Sequence, residues 1–226
     1  MADTFAPLTW DDTSKHNIEM GVKKGVLYPY NTTSKKYSPG VAWNGLTAVT
    51  ESPSGAEATP LYADDKKYRN LISVEEFGAT VECYTYPDEF AACNGEAALV
   101  EGVYAGQQKR STFGMSYVTT VSDGDGVETE KIHLIYGAIA APSEKAYATI
   151  NDSPEAMTFS YELSTTPVAV GDGLKPTACI TIDTKKITNA AGLKALKDAL
   201  YGTTTAAPYL PLPSELKTLL ATAAAG

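Results

Sequence analysis

Apolar and polar residues alternate with a period of two along several stretches of the chain, which predicts strands with one buried and one wet face. In residues 76–84, Phe77, Ala79, Val81 and Cys83 fall on one side, with Glu76, Thr80 and Glu82 on the other. Residues 157–163 set Met157, Phe159, Tyr161 and Leu163 against Thr158, Ser160 and Glu162. Over residues 130–138 the inward set is Ile132, Leu134 and Tyr136, with Lys131 and His133 outward. Phe113, Met115 and Tyr117 alternate with Thr112, Gly114 and Ser116, and Ala178, Ile180 and Ile182 alternate with Thr181 and Asp183. Turn-forming residues at 122–126, 141–143, 151–154 and 171–173 separate these runs. Short half-wet strands with Gly and Pro punctuation define the expected fold class: mainly β, an antiparallel β-sandwich or barrel.

One flanking α-helix is expected beside that core. Leu193, Leu196 and Leu200 recur at helical spacing after Asn189, and Gly202 stands where a helix terminates. A shorter helix is expected over residues 214–220, after Pro213. Residues 203–211 read as a linker and 221–226 as a frayed tail. The expected organisation is an N-terminal arm over 1–24, a sandwich domain with its helix over 25–202, and a C-terminal extension over 203–226. The arm and the polar loop 31–40 read as mobile segments with little core to lose.

Composition narrows the function classes. At 226 residues, with 43% apolar and 20% charged residues, the chain can bury a core as one all-β domain. Cys83, Cys93 and Cys179 have unrelated spacings and no Cys-x-x-Cys pair, which points to a reduced, intracellular origin. Residues 1–5 carry no signal-peptide pattern, and no run approaches the ~20 apolar residues of a spanning helix. A net charge of −9 argues against a protein that grips nucleic-acid phosphates. Fourteen tyrosines against five phenylalanines fit either an interface or ordinary strand propensity.

Catalytic constellations are not evident. His16 and His133 are the two histidines, both read as surface residues without partners at a useful spacing. Asp123 and Asp125, followed by Glu128 and Glu130, superficially suggest a calcium loop, but their flanks alternate as strands and the glycines fit a hairpin turn. Asp64, Asp65, Lys66 and Lys67 read as a solvated turn, and Lys109 with Arg110 as an isolated basic pair. The expectation is a non-enzyme with no cofactor and no metal.

Residues 61–90 (LYADDKKYRNLISVEEFGATVECYTYPDEF) resemble the corresponding stretch of the major tail (tail tube) proteins of long-tailed bacteriophages. The likeness is carried by Tyr62, Ala63 and Asp64, by Phe77 with Gly78, and by Pro87, Asp88, Glu89 and Phe90. It continues in the same order through residues 25–30, 43–45, 52–59, 131–168 and 211–216, with 143–147 and 151–156 its most specific later pieces. Most of 21–216 is covered, and the arm up to Met20 is the least matched part.

The resemblance implies a virion protein of the phage tail, assembled in the bacterial host cytoplasm. Its sheets would join between subunits into a tube of stacked hexameric rings, a hollow conduit for DNA during ejection. Implied partners are other copies of itself, the tail-tip or baseplate, tape measure and tail terminator proteins, and genomic DNA passing without tight binding; no membrane is involved. A conduit wall should be neutral or acidic, which makes Glu76, Glu82, Glu162 and Asp183 the candidate lumen-facing residues. Six copies would carry a formal −54 (6 × −9). The alternatives are a tube protein of a related contractile tail or secretion apparatus, and a carbohydrate-binding or adhesin β-sandwich.

Overall fold

The computed structural model describes residues 8–150, 152, 155–171 and 173–221. Most of the turn expected at 151–154, the centre of that at 171–173, the start of the arm and the tail beyond Ala221 lie outside the described residues. In chain order the strands are β1 (Ile18–Asn31), β2 (Lys36–Tyr37), β3 (Val41–Trp43), β4 (Leu46–Glu51), β5 (Ala58–Ala63), β6 (Lys66–Ile72) and β7 (Gly78–Cys83). A one-turn helix α1 (Phe90–Cys93) precedes β8 (Ala97–Val100), β9 (Val103–Ala105), β10 (Phe113–Ser122) and β11 (Glu128–Ala140). The chain ends with β12 (Phe159–Thr165), β13 (Cys179–Asp183), α2 (Ala190–Tyr201) and α3 (Pro213–Leu220).

β10 lies between β1 and β11, all antiparallel. The other side of β11 is shared, β13 pairing with Lys131 to Ile135 and β12 with Ala138 to Ala140. From β12 the sheet continues through β7 to β4. It folds over so that Ala79, Val81, Cys83, Tyr161 and Leu163 meet Leu27, Phe113, Met115, Tyr117 and Ile135 across one core. The mainly β, antiparallel sandwich with a flanking helix is the fold of this chain.

A second core lies behind the first. The opposite face of β1, β10 and β11 presents Val26, Tyr28, Val118, Ile132, Leu134 and Tyr136 to Leu196 and Leu200 of α2 and Leu216 of α3. These strands are covered on both faces over residues 25–28 of β1, 134–138 of β11 and six consecutive residues of β10 from Phe113 to Val118, whereas β1 before Gly25 is largely exposed. The expected wet face of residues 112–117 and 130–138 is corrected accordingly: Ser116 and Ile135 are fully buried.

α2 begins where Asn189 Oδ1 accepts the Gly192 N–H at 3.1 Å and ends at Gly202, whose φ of 77° lies in the left-handed region. α3 starts at Pro213, one residue earlier than expected, and the Glu215 carboxylate accepts the Leu212 N–H at 2.9 Å. The turn α1 was not expected; it places Phe90 within ring contact of Trp43, Tyr86, Phe113 and Tyr161.

Three segments read as peripheral belong to the body. Loop 31–40 contains Tyr37, which is 3% exposed, packs on Tyr30 and Tyr136, and accepts the Gly137 N–H at 3.0 Å. Tyr37 therefore anchors that loop to the core, while residues 31–36 are exposed. Leu210 and Leu216 of the extension are buried, and Leu210 bridges to Tyr37. β1 crosses the expected boundary at residue 24, with Ile18 already paired to Ser122.

The buried tyrosines act as struts. Tyr28 Oη donates to the Leu200 carbonyl at 2.8 Å, and Tyr136 Oη donates to the Pro211 carbonyl at 2.9 Å. Each spans the apolar layer and satisfies a carbonyl near a helix end.

Candidate assembly surfaces

β4 and β7 do not end at the edge of the body. The Ser52 N–H donates to Gly78 O at 2.8 Å, Ser54 and Glu76 exchange two hydrogen bonds of 2.8 Å, and β5 then pairs with β6. Residues 46–83 thus form one ribbon, closed by Asp64 and Asp65, both with positive φ (49° and 58°), at the solvated turn expected there. Its inner half packs in the sandwich, whereas every residue of β5 and β6 is exposed. Six residues of strand make that overhang about 20 Å long.

Cross-strand partners share a face. Ala58 with Ile72, Pro60 with Asn70 and Tyr62 with Lys67 lie on one side; Thr59 with Leu71, Leu61 with Arg69 and Ala63 with Lys66 lie on the other. Both sides carry exposed apolar groups: Tyr62 (70%) and Ile72 (68%) on one, Leu61 (42%) and Leu71 (48%) on the other. A two-stranded hairpin is marginal alone in water, and grouped apolar exposure of this kind marks a contact surface.

The β8–β9 hairpin is a second such projection, exposing Leu99, Val100, Val103 and Tyr104. Arg110 fixes its root by donating to Asn94 Oδ1 (3.2 Å), Ala140 O (2.8 Å) and Ala141 O (3.2 Å). The basic pair is therefore not isolated: Lys109 is exposed, but Arg110 is an internal tie.

The outward face of β4, β7 and β12 forms a polar wall. Thr80 lies opposite Glu162 and Thr50, and Glu82 lies opposite Ser160 and Ala48, so Glu82 and Glu162 share that face. Glu76, at the root of the overhang, lines a shallow concavity of about 340 Å³ together with Glu162, Ser52, Ser54, Thr80 and Ser164. Three of the four candidate lumen residues are thus brought together. Asp183 sits elsewhere, at the end of β13, where its carboxylate accepts the Lys185 N–H at 3.0 Å and lies 3.5 Å from Lys186 Nζ.

Sequence reasoning missed the polar cluster between the sheets. His133, read as a surface residue, has a side chain only 12% exposed and stacks on Tyr117 with ring centroids 4.6 Å apart. Its Nε2 is 2.9 Å from Thr119 Oγ1 and 3.4 Å from Glu19 Oε1, and its Nδ1 is 3.7 Å from Glu51 Oε1. Tyr117 Oη donates to Glu51 at 2.7 Å, and Lys131 pairs with Glu19. Burial holds the imidazole below its ordinary pKa, outweighing the attraction of Glu51 and Glu19. The hydrogen bonds from Lys131 and Thr119 hold the Glu19 carboxyl below the usual carboxylate range. The groups come from β1, β4, β10 and β11, so their arrangement clasps those strands together. No spacing in the sequence announces it, because only strand pairing brings Glu19 and Glu51 to His133.

Asp123 Oδ1 accepts the N–H groups of Asp125 (3.2 Å) and Val127 (2.9 Å), which makes the Asp-Gly segment a hairpin turn between β10 and β11. Among the described residues no group of three or more His, Cys, Asp or Glu is placed to hold a metal ion. No helix among them is long and apolar enough to cross a membrane.

No family model and no curated protein matches the chain. Among solved structures it is similar to a chain of the six-fold symmetrised cryo-EM structure of the anti-feeding prophage (AFP) baseplate. That similarity has a TM-score of 0.38 and 9% identity, covering 72% of this chain and 94% of the other.

Proposed function

We propose that this chain is the structural subunit of a long-tailed bacteriophage tail tube, its copies closing into six-membered rings that stack into a hollow conduit for DNA. The observation that carries this reading is the overhanging half of the 46–83 ribbon, which exposes apolar side chains on both faces. A surface of that kind is buried by neighbouring subunits, and repeated contacts between unlike surfaces of one chain generate rings and tubes. The ordered motifs shared with tail tube proteins point the same way. The chain has no catalytic step in this reading; its partners are its own copies, the tail-tip or baseplate, tape measure and terminator proteins, and the DNA it conducts.

Electron microscopy of the concentrated protein, with and without a tail-tip seed, should show rings or tubes for the native chain. Tyr62→Ser combined with Ile72→Ser should abolish them while leaving a folded subunit. A native chain that stays monomeric in every condition, purified virions included, would sink the reading.

Within that tube, the wall carrying Glu76, Glu82 and Glu162 faces the lumen and repels DNA phosphates. Glu82→Lys with Glu162→Lys should slow DNA release from virions, most at low ionic strength where screening is weakest. Unchanged release at both low and high salt would place that wall away from the DNA.

A further inference from the structure

The seam between β1 and β4 holds an open slot. β1 pairs with β10 along its length, but its other edge meets a strand only from Gly25 onward, opposite Trp43 where β3 ends. β4 pairs only with β7. The slot, of about 380 Å³, runs between residues 22–26 of β1, residues 42–46 around the end of β3, and Leu200, Tyr201 and Pro208 beside the end of α2. Val22, Val26, Trp43 and Leu46 belong to its apolar lining, and Lys23 and Lys24 are its charged residues.

The slot carries surplus positive charge. Glu130 is the shared acidic partner of Lys24 (2.8 Å), Lys197 (3.2 Å) and Lys23 (3.5 Å), so three ammonium groups meet one carboxylate. The pull of Lys24 and Lys197 brings the Glu130 pKa down to about 2, so this carboxylate stays ionised and two positive charges remain over.

The same chain carries a segment of the opposite character. Residues 8–12 read Leu-Thr-Trp-Asp-Asp. Leu8 and Trp10 are both 78% exposed, Asp11 and Asp12 follow them, and within one copy the chain bends at Asp11, whose φ is 59°. Thr13 is tied to the far end of the β10–β11 hairpin by its carbonyl, which accepts the Gly124 N–H at 3.1 Å. Within one copy this segment and the slot do not meet.

We propose that residues 8–12 of a neighbouring copy dock in the slot as an extended segment, resting on the assembly reading above. Leu8 and Trp10 cover its apolar lining, Asp11 and Asp12 neutralise Lys23 and Lys24, and the backbone continues the line of β3 along the free edge of β1. Asp12 exchanges its ion pair with Lys15, at 3.0 Å within one copy, for the lysines of the slot. The charge match sets the register, and the two apolar side chains supply the holding contact. The contact joins unlike surfaces and so propagates from copy to copy.

Disulfide trapping on the full chain tests this directly. Asp11→Cys protein is mixed with Asn44→Cys protein, Asn44 being an exposed residue of the slot. Under mild oxidation the mixed dimer should exceed, by roughly tenfold, that formed by Asp11→Cys with Lys186→Cys at an exposed site that does not line the slot. Adding Leu8→Ser and Trp10→Ser to the Asp11→Cys chain should remove the excess. Equal yields in the two mixtures would overturn the docking, as would a cross-link that forms only when both cysteines lie in one chain. Micrographs of the same samples separate the two ideas: tubes without the mixed cross-link overturn this contact and leave the tube standing.

Discussion

The central strands and the overhanging ribbon are opposite solutions to the same problem. Residues 25–28 of β1, 113–118 of β10 and 134–138 of β11 are covered on both faces, by the second half of the sandwich on one side and by α2 and α3 on the other. β5 and β6 are covered on neither. Both carry apolar side chains, yet in one region the chain supplies its own cover and in the other it leaves cover to something else. Burial within the chain thus separates residues that hold the fold together from apolar residues that the chain itself leaves uncovered.

The largest expected effect lies in the doubly covered region. Phe113→Ala opens a hole in the first core, where Phe113 is fully buried and packs on Phe90 at 5.6 Å. It should cost the unassembled subunit about 3–5 kcal/mol in urea denaturation. A cost below about 1 kcal/mol would show that the core relaxes around the site and that double coverage matters less than stated.

A smaller effect should come from the clasp between the sheets. The folded-state pKa of His133 is depressed below its ordinary 6.5, so the unfolded chain takes up the proton first. Stability from the neutral imidazole is present above that value and is lost as pH falls through the lowered folded-state value. Glu130, shifted from 4.5 to about 2, acts only further down in pH. Between about pH 7.5 and about pH 5.5 the native chain should lose stability and His133→Gln should lose less. Equal slopes for the two proteins would remove His133 from the account.

The smallest effect should be on the ribbon. Tyr62→Ser with Ile72→Ser should change subunit stability by no more than about 0.5 kcal/mol for each substitution, because neither side chain is covered. A larger loss would mean that the overhang folds back on the body in solution, which would erase the contrast between the two regions.

Legibility in the sequence followed the same divide. Strands β7 and β12 were readable because one face is wet, so Ala79, Val81 and Cys83, like Tyr161 and Leu163, alternate cleanly. α2 was readable from its leucine spacing with Asn189 and Gly202 at its ends. β10 was only half readable: Gly114 and Ser116 look polar or neutral but lie beneath Tyr37, Leu210 and the Tyr28 hydroxyl. Tyr37 hid in a polar loop because a single core residue makes no period. The residues that carry the resemblance were legible as a string but not as structure. Phe90 centres an aromatic cluster, Trp43 Nε1 donates to Thr85 O at 3.0 Å, and Lys145 pairs with Glu96 at 3.0 Å. The candidate lumen residues were legible as outward carboxylates, but whether they share a face depends on pairing, which grouped three and set Asp183 apart.

The rooting of the ribbon also has a mechanical side. β7 is flanked along its length by both β12 and β4, so a pull on the overhang parallel to its strands is shared among many cross-strand hydrogen bonds at once. Such bonds yield together in shear, whereas a pull across the strands would open them one at a time like a zip. Tension along the strands is thus the direction in which the anchorage is strongest, and tension across them the direction in which the ribbon would peel from the body.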